Sequence, residues 1–492
     1  MDIDEKALKD IIANLEKEVD KRPRDSNARL QLALSYMKIG RQDDAREALL
    51  AVLKQDKRNV EAQYYLGIMY ADAQELDKAL ECFKKVVALN KSHSPAHYFT
   101  GKILAMKGDF DAAIKATEKA RDLSPGNVLA RGQLGELYIA KGRKEDAMQE
   151  WKKILEVDPS NLQALHNLGA SLTDAREYQE ALTHLHRAER LGSDNPGLYY
   201  NMGLCYLATK DPEKSITYFL KASELEPDNT GTLITLGEAY ASADQLDKAI
   251  ETWDRVLVMK PDDLFATFNL GLAHFQKKEV KRAKEYWKKC IAIEPAYTPA
   301  LRNLAVAATM ENDFHEAIYR WESIKRVDPK ALEPDMALGE LNYRIGNLSE
   351  AERIAENLVE RMADVPGIEN HRPVQASARF LAGTIAMVLG KFQHGFRHWV
   401  ASMELDPNFA MSNATFISRS LWPALLAEAK AHASTEDEQK VLRLVGSFVK
   451  EDATPPKTLE DAVEYKQDTV DQKPDEAKRR KGGLSWLFRG RK

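Results

Sequence analysis

Cysteine is scarce in this 492-residue chain: Cys82, Cys205 and Cys290 are too few and too scattered for a disulfide framework, and they fit a reducing compartment. Long apolar runs are missing as well. No stretch approaches the roughly 18 consecutive apolar residues of a membrane-spanning helix. The first residues, MDIDEKALKDII, lack the basic start and apolar core of a secretory signal. A cytoplasmic protein is therefore expected, and the Asn-x-Ser/Thr triplets at Asn90, Asn347 and Asn413 read as chance. Glycine (25) and proline (19) are too sparse for a collagen-like or low-complexity chain. Neither charge sign dominates, since 71 Lys and Arg face 76 Asp and Glu for a net charge of −5. That balance excludes a protein that coats nucleic acid with its whole surface, and nucleic acid is not an expected partner.

Catalytic signatures are also lacking. There is no Gly-x-x-x-x-Gly-Lys-Ser/Thr loop, no Gly-x-Ser-x-Gly elbow and no Cys-x-x-Cys pair. His394 and His398 stand four apart and would share a helix face, but no Glu or Cys beside them has the spacing of a known zinc motif. They read as a surface or partly packed pair. His184 and His186, two apart, point away from each other on a helix. No enzyme, cofactor or metal is expected, and no catalytic residue is assigned.

What the chain does contain is one unit repeated. Stepping by 34 from Ala33 reaches Gly67, Gly101, Gly135, Gly169, Gly203, Gly237, Gly271, Ala305 and Gly339, and one interval of 44 then reaches Gly383. Twelve residues after each marker comes another small residue, from Ala45 through Ala181 and Ser215 to Gly395, so all 22 positions are Gly, Ala or Ser. Apolar residues recur at helical spacing around both series, as in NLQALHNLGASL and QEALTHLHRAERL. Antiparallel helices approach closely only where side chains shrink, so the small residues predict a crossing. Large residues sit sixteen after the marker (Phe83, Trp151, Phe219, Trp253, Trp287, Trp321, Trp399), a fixed phase that points to core packing rather than an aromatic ligand box. Prolines 24 after the marker, such as Pro159 and Pro261, end one unit, and Gly40, Gly108, Gly142 and Gly346 supply turns within units.

These residues resemble the tetratricopeptide repeat family, whose pattern Gly135, Tyr138, Gly142, Ala147, Trp151 and Pro159 match within one unit. The resemblance covers eleven units over residues 26–409 and implies an all-α, right-handed superhelical solenoid of helix pairs. It also implies that the first helix of each pair lines a concave groove. Residues 1–25 read as an N-terminal capping helix, 362–372 as an inserted loop and 410–450 as C-terminal capping helices. Residues 451–476, with nine acidic residues against three lysines, read as an acidic disordered linker, and 477–492 as a basic aromatic tail.

Two positions before the marker stand Asn167, Asn201, Thr235, Asn269 and Asn303. Packing does not favour Asn, a mediocre helix former, but its amide offers a donor and an acceptor that can pair with any peptide backbone. The row resembles the asparagine ladder in the repeat superhelix of O-linked N-acetylglucosamine transferase, which holds extended polypeptide; Thr235 interrupts it, and earlier units carry Gln31, Tyr65, Phe99 and Gln133 instead. The alternative is that the amides bond neighbouring helices and stabilise the stack. No transferase domain is expected in the 83 residues after position 409. Tyr200, Phe265, Phe268 and Phe275 are expected beside the ladder, either as pockets for ligand side chains or buried between first helices. Chaperone-type clamping of a C-terminal carboxylate is not expected, since Lys102 and Arg302 are isolated from that pattern.

In the tail, Lys478, Arg479, Arg480 and Lys481 precede Leu484, Trp486, Leu487 and Phe488, and three more basic residues follow. Basic residues near an anionic membrane contribute about 1 kcal/mol each, and aromatic residues suit the interface. The expectation is a peripheral tether at the cytoplasmic membrane face, with docking into a partner or into the protein's own groove as alternatives. The functional reading is a non-enzymatic scaffold or adaptor that holds extended polypeptide in its groove. Alternatives are a homo-oligomerising coat on a membrane or organelle, and an accessory subunit of an enzyme complex.

Overall fold

Seven of the repeats begin where an Asn or Asp side chain accepts a hydrogen bond from a backbone N–H of the first turn. Asn59 accepts from Ala62 at 2.9 Å, Asn161 from Ala164 at 3.0 Å and Asp263 from Ala266 at 2.9 Å. Such caps satisfy donors that an isolated helix start leaves open. The computed structural model describes residues 5–363, 372–406 and 421–448. Among these residues there are 25 helices and no strand. The chain divides into two compact units, residues 1–245 and 246–492.

In the first unit, α1 (Glu5–Lys21) precedes six helix pairs. They are α2 and α3 (Ser26–Lys38, Gln42–Gln55), α4 and α5 (Val60–Asp72, Leu76–Leu89), and α6 and α7 (Ser94–Met106, Phe110–Leu123). Then come α8 and α9 (Val128–Ala140, Lys144–Val157), α10 and α11 (Leu162–Asp174, Tyr178–Arg190), and α12 and α13 (Pro196–Ala208, Pro212–Leu225). Helix α14 (Thr230–Ser242) ends the unit. Each helix packs on its successor, and first helices of neighbouring pairs also touch, as α4 with α6 and α10 with α12.

The second unit starts with α15 (Leu246–Met259) and continues in pairs. These are α16 and α17 (Leu264–Gln276, Val280–Ile293), α18 and α19 (Thr298–Met310, Phe314–Val327), and α20 and α21 (Glu333–Arg344, Leu348–Ala363). The last pair is α22 and α23 (Arg372–Val388, Phe392–Leu405), followed by α24 (Leu421–His432) and α25 (Glu436–Phe448). Trp422, Leu425, Val441 and Val445 of the two closing helices share a core with Phe380 and Trp399.

All 22 small-residue positions are buried. The reason is an interlock within each pair: a Cβ on Gly67 would lie 2.8 Å from the Phe83 ring, one on Gly203 2.7 Å from Phe219, and one on Gly383 2.5 Å from Trp399. The aromatic sixteen residues downstream fills the space a side chain would occupy. Phe83, Trp151, Phe219, Trp253, Trp287, Trp321 and Trp399 are all buried, as core packing requires. Seven residues after each marker the chain turns with positive φ. Glycine takes this position at Gly40, Gly108, Gly142, Gly346 and Gly390, but Gln74, Arg176, Lys210, Asp244, Lys278 and Asn312 take it elsewhere, with φ of 60 to 65°. The inserted loop expected at 362–372 lies largely outside the described residues, as do 407–420, the acidic linker and the tail.

Candidate functional site

A helix turns about 100° per residue, so a residue two before the marker faces away from the second helix of its own pair. Asn167 on α10 and Asn201 on α12 lie there in the first unit, with Thr235 on α14; Asn269 on α16 and Asn303 on α18 lie there in the second. All five are half-buried. Asn167, Asn201 and Thr235 each bond within their own helix. The Asn167 carbonyl oxygen accepts from Gln163 Nε2 at 3.0 Å, one turn earlier on the same helix. The Asn201 amide donates to the Gly197 carbonyl at 2.9 Å, and the Thr235 hydroxyl to the Gly231 carbonyl at 3.0 Å. The Asn303 side chain hydrogen-bonds to none of the described residues.

The aromatic neighbours divide. Tyr200 packs its ring 5.6 Å from Phe219 and brings its hydroxyl 3.4 Å from Thr235 Oγ1, so it links adjacent first helices. It also lines a shallow depression of about 380 Å³ with Asn195, Pro196, Gly197, Glu226, Asn229, Gly231 and Thr232. Asn229 donates to the Glu226 carboxylate at 2.9 Å on its rim. In the second unit Phe265 is 57% exposed, one turn before Asn269. Phe268, by contrast, is buried and meets Tyr297 edge-on at 5.5 Å. Phe275 is half-buried against Trp287, with ring centroids 5.6 Å apart. The three phenylalanines do not form one surface. Phe268 belongs to the core because its position, one before the ladder residue, turns toward the next pair. Arg302, beside Asn303, is held by Glu333 at 2.7 and 3.1 Å. The tail residues Lys478 to Phe488 lie outside the described residues.

The fold supplies a third partner to the histidine pair. Glu356 on α21, 38 residues before His394, places Oε1 2.8 Å from His394 Nε2 and 3.3 Å from His398 Nε2. The His398 contact above all, with His394 after it, holds the Glu356 carboxyl down to about 2. Local spacing does not reveal Glu356, which comes from the preceding helix pair, across the insertion. His186 is engaged elsewhere, with Glu189 at 3.1 Å and the Tyr206 hydroxyl at 2.9 Å. The cysteines are buried and unpaired; burial pushes all three thiols up, Cys290 to about 12, which disfavours the thiolate needed for nucleophilic chemistry. No helix among the described residues is long and apolar enough to cross a membrane.

Family models described as tetratricopeptide repeat match residues 30–94, 70–128, 104–172, 161–188, 197–229 and 234–289, together about half of the chain. No curated protein matches the chain in sequence. Among solved structures it is similar to MamA, at 27% identity over 33% of this chain and 94% of that one, with a TM-score of 0.32. It is similar to YrrB, a TPR protein with an unusual peptide-binding site, at 26% identity over 38% and 97% of the two chains and a TM-score of 0.35. PilF of Pseudomonas aeruginosa matches at 20% identity over 42% and 95%, with a TM-score of 0.38.

Proposed function

Because the chain belongs to the tetratricopeptide repeat family, an all-helical interaction scaffold, we propose that it is a non-enzymatic adaptor holding extended polypeptide against its first helices. The observation that carries this reading is the unused hydrogen-bonding capacity of Asn167 and Asn201. Asn167 keeps its N–H donors and Asn201 its carbonyl oxygen, since each makes its contact within its own helix. These contacts do not join neighbouring repeats, so stack stabilisation does not account for them. A side-chain amide with a free donor or acceptor pairs with a backbone amide whatever the sequence. The Tyr200 depression in the first unit and exposed Phe265 in the second would each then select ligand side chains. The three free thiols favour a cytoplasmic setting.

The test is capture from native lysate followed by mass spectrometry, comparing wild type with a variant in which Asn167, Asn201, Asn269 and Asn303 are all Ala. Circular dichroism first establishes that the variant folds. Partners lost by the variant support the grip, and partners retained by both reject it. The basic aromatic segment 477–492 is carried as a membrane tether on its composition. Deleting it is expected to abolish pelleting with anionic liposomes, and equal pelleting dismisses the tether.

A further inference from the structure

Three side chains from two helices converge in the second unit. His394 and His398 stand one turn apart on α23 with ring centroids 4.8 Å apart, and Glu356 reaches both from α21. One nitrogen of each imidazole and one carboxylate oxygen lie within 4.8 Å of one another. We propose that Glu356, His394 and His398 form a binding site for a divalent transition-metal ion of the zinc, cobalt and nickel class.

The donor set gives the selectivity. Two imidazole nitrogens suit borderline metals, whereas magnesium and calcium require oxygen ligands throughout. Metal–nitrogen and metal–oxygen bonds of about 2.1 Å at tetrahedral angles put neighbouring donor atoms roughly 3.4 Å apart. The observed 2.8 and 3.3 Å from Glu356 Oε1 to the two imidazoles lie at or just below that value. Closing the widest separation takes a donor-atom movement of about 1.4 Å, which rotation of the outer ligand can make. The His394 side chain is 42% exposed, Glu356 29% and His398 9%. One ligand is thus anchored in the core while another opens to solvent, giving an entry path and room for water to complete the coordination.

A second observation concerns the buried ligand. His398 Nδ1 is buried and has no hydrogen-bond partner. The His398 Nε2 contact to Glu356 is long at 3.3 Å, and a metal on Nε2 would put a strong bond there, with Nδ1 left unpartnered. The same orphan atom sets the strength. A ligating imidazole ordinarily donates its other N–H to an acceptor, and lacking one lowers affinity about 10- to 100-fold. Binding is therefore weaker than in a fully supported structural zinc site. Its consequence is to tie α21 to α23, clamping the last two helix pairs together.

The test uses the untagged full-length protein, stripped with chelator and titrated by calorimetry with zinc chloride and, separately, magnesium chloride. Cobalt titration adds a visible absorption band that reports imidazole coordination directly. Wild type is expected to bind one zinc ion, to show no heat with magnesium, and to rise in Tm with zinc. His394→Ala and Glu356→Gln remove half-exposed groups and are expected to keep the wild-type circular dichroism spectrum. Each should weaken zinc binding at least tenfold and alter the cobalt band. Absence of zinc binding by wild type overturns the proposal, as does binding that both variants retain at full affinity. In either case the cluster is a carboxylate accepting two imidazole N–H bonds and nothing more.

Discussion

At Gly203 the helix crossing has no room for a single methyl group, because the Phe219 ring lies 2.7 Å from where a Cβ would stand and is itself fully buried. Gly203→Ala is therefore expected to destabilise the first unit by about 1–3 kcal/mol, the usual cost of overpacking. Urea unfolding followed by circular dichroism measures it. Trimming the ring as well, in Gly203→Ala with Phe219→Leu, should recover part of the loss, because two groups sharing one space couple. If the single substitution leaves the midpoint unchanged, the interlock is not what fixes glycine there. The marker glycines and their aromatic partners were legible in the sequence, since a constant sixteen-residue offset has no other economical cause. Phe268 was harder to read. On a first helix two positions one residue apart differ by about 100°, enough to move a ring from the ligand face into the core.

The helix pairs carry a similar division between pattern and exception. Family models match residues up to 289, yet the same pairing continues through α23 at Leu405. Two later elements are longer than their counterparts, α21 at 16 residues and α22 at 17. The turn within each pair is set by geometry rather than by residue type: it takes positive φ even where Lys278 or Arg176 occupies it. A side chain in that left-handed conformation costs about 1–2 kcal/mol. Lys278→Gly is expected to raise the stability of the second unit, offset in part by glycine's added freedom when unfolded. A fall in the urea midpoint would show that the lysine side chain contributes more than its backbone strain removes. Glu356 stayed hidden for a reason of the same scale. Its meeting with His394 depends on stacking successive second helices across an insertion, and no local spacing encodes that.

At the scale of the whole molecule, the two units are expected to differ in their response to acid. Burial lowers His93, His166 and His184 from the ordinary 6.5, and all three lie in the first unit. His166 is half-buried with its Nε2 2.8 Å from the Ser193 hydroxyl. A depressed pKa means that protons bind the unfolded chain first. Stability is then complete above pH 6.5 and declines as pH falls from there through the lowered folded values. Hydrogen exchange between pH 7 and 5 is expected to show residues 1–245 losing protection before 246–492. His166→Gln should flatten part of that slope; an unaltered slope would remove His166 from the account. The repeat architecture of both units was readable from the periodicity alone. Their division near residue 245 was not, because the repeat pattern runs through it unbroken.

The interlock has a kinetic corollary. Gly67, Gly135, Gly203, Gly271 and Gly383 each meet an aromatic partner only sixteen positions downstream, so core contacts of this kind join near neighbours along the chain. Folds dominated by such short-range contacts form quickly, and their early segments need not wait for late ones. A pair such as α4 and α5 can close as soon as it leaves the ribosome, while the later repeats are still being translated. Its first-helix face would then meet partners during synthesis, in the order in which the repeats emerge.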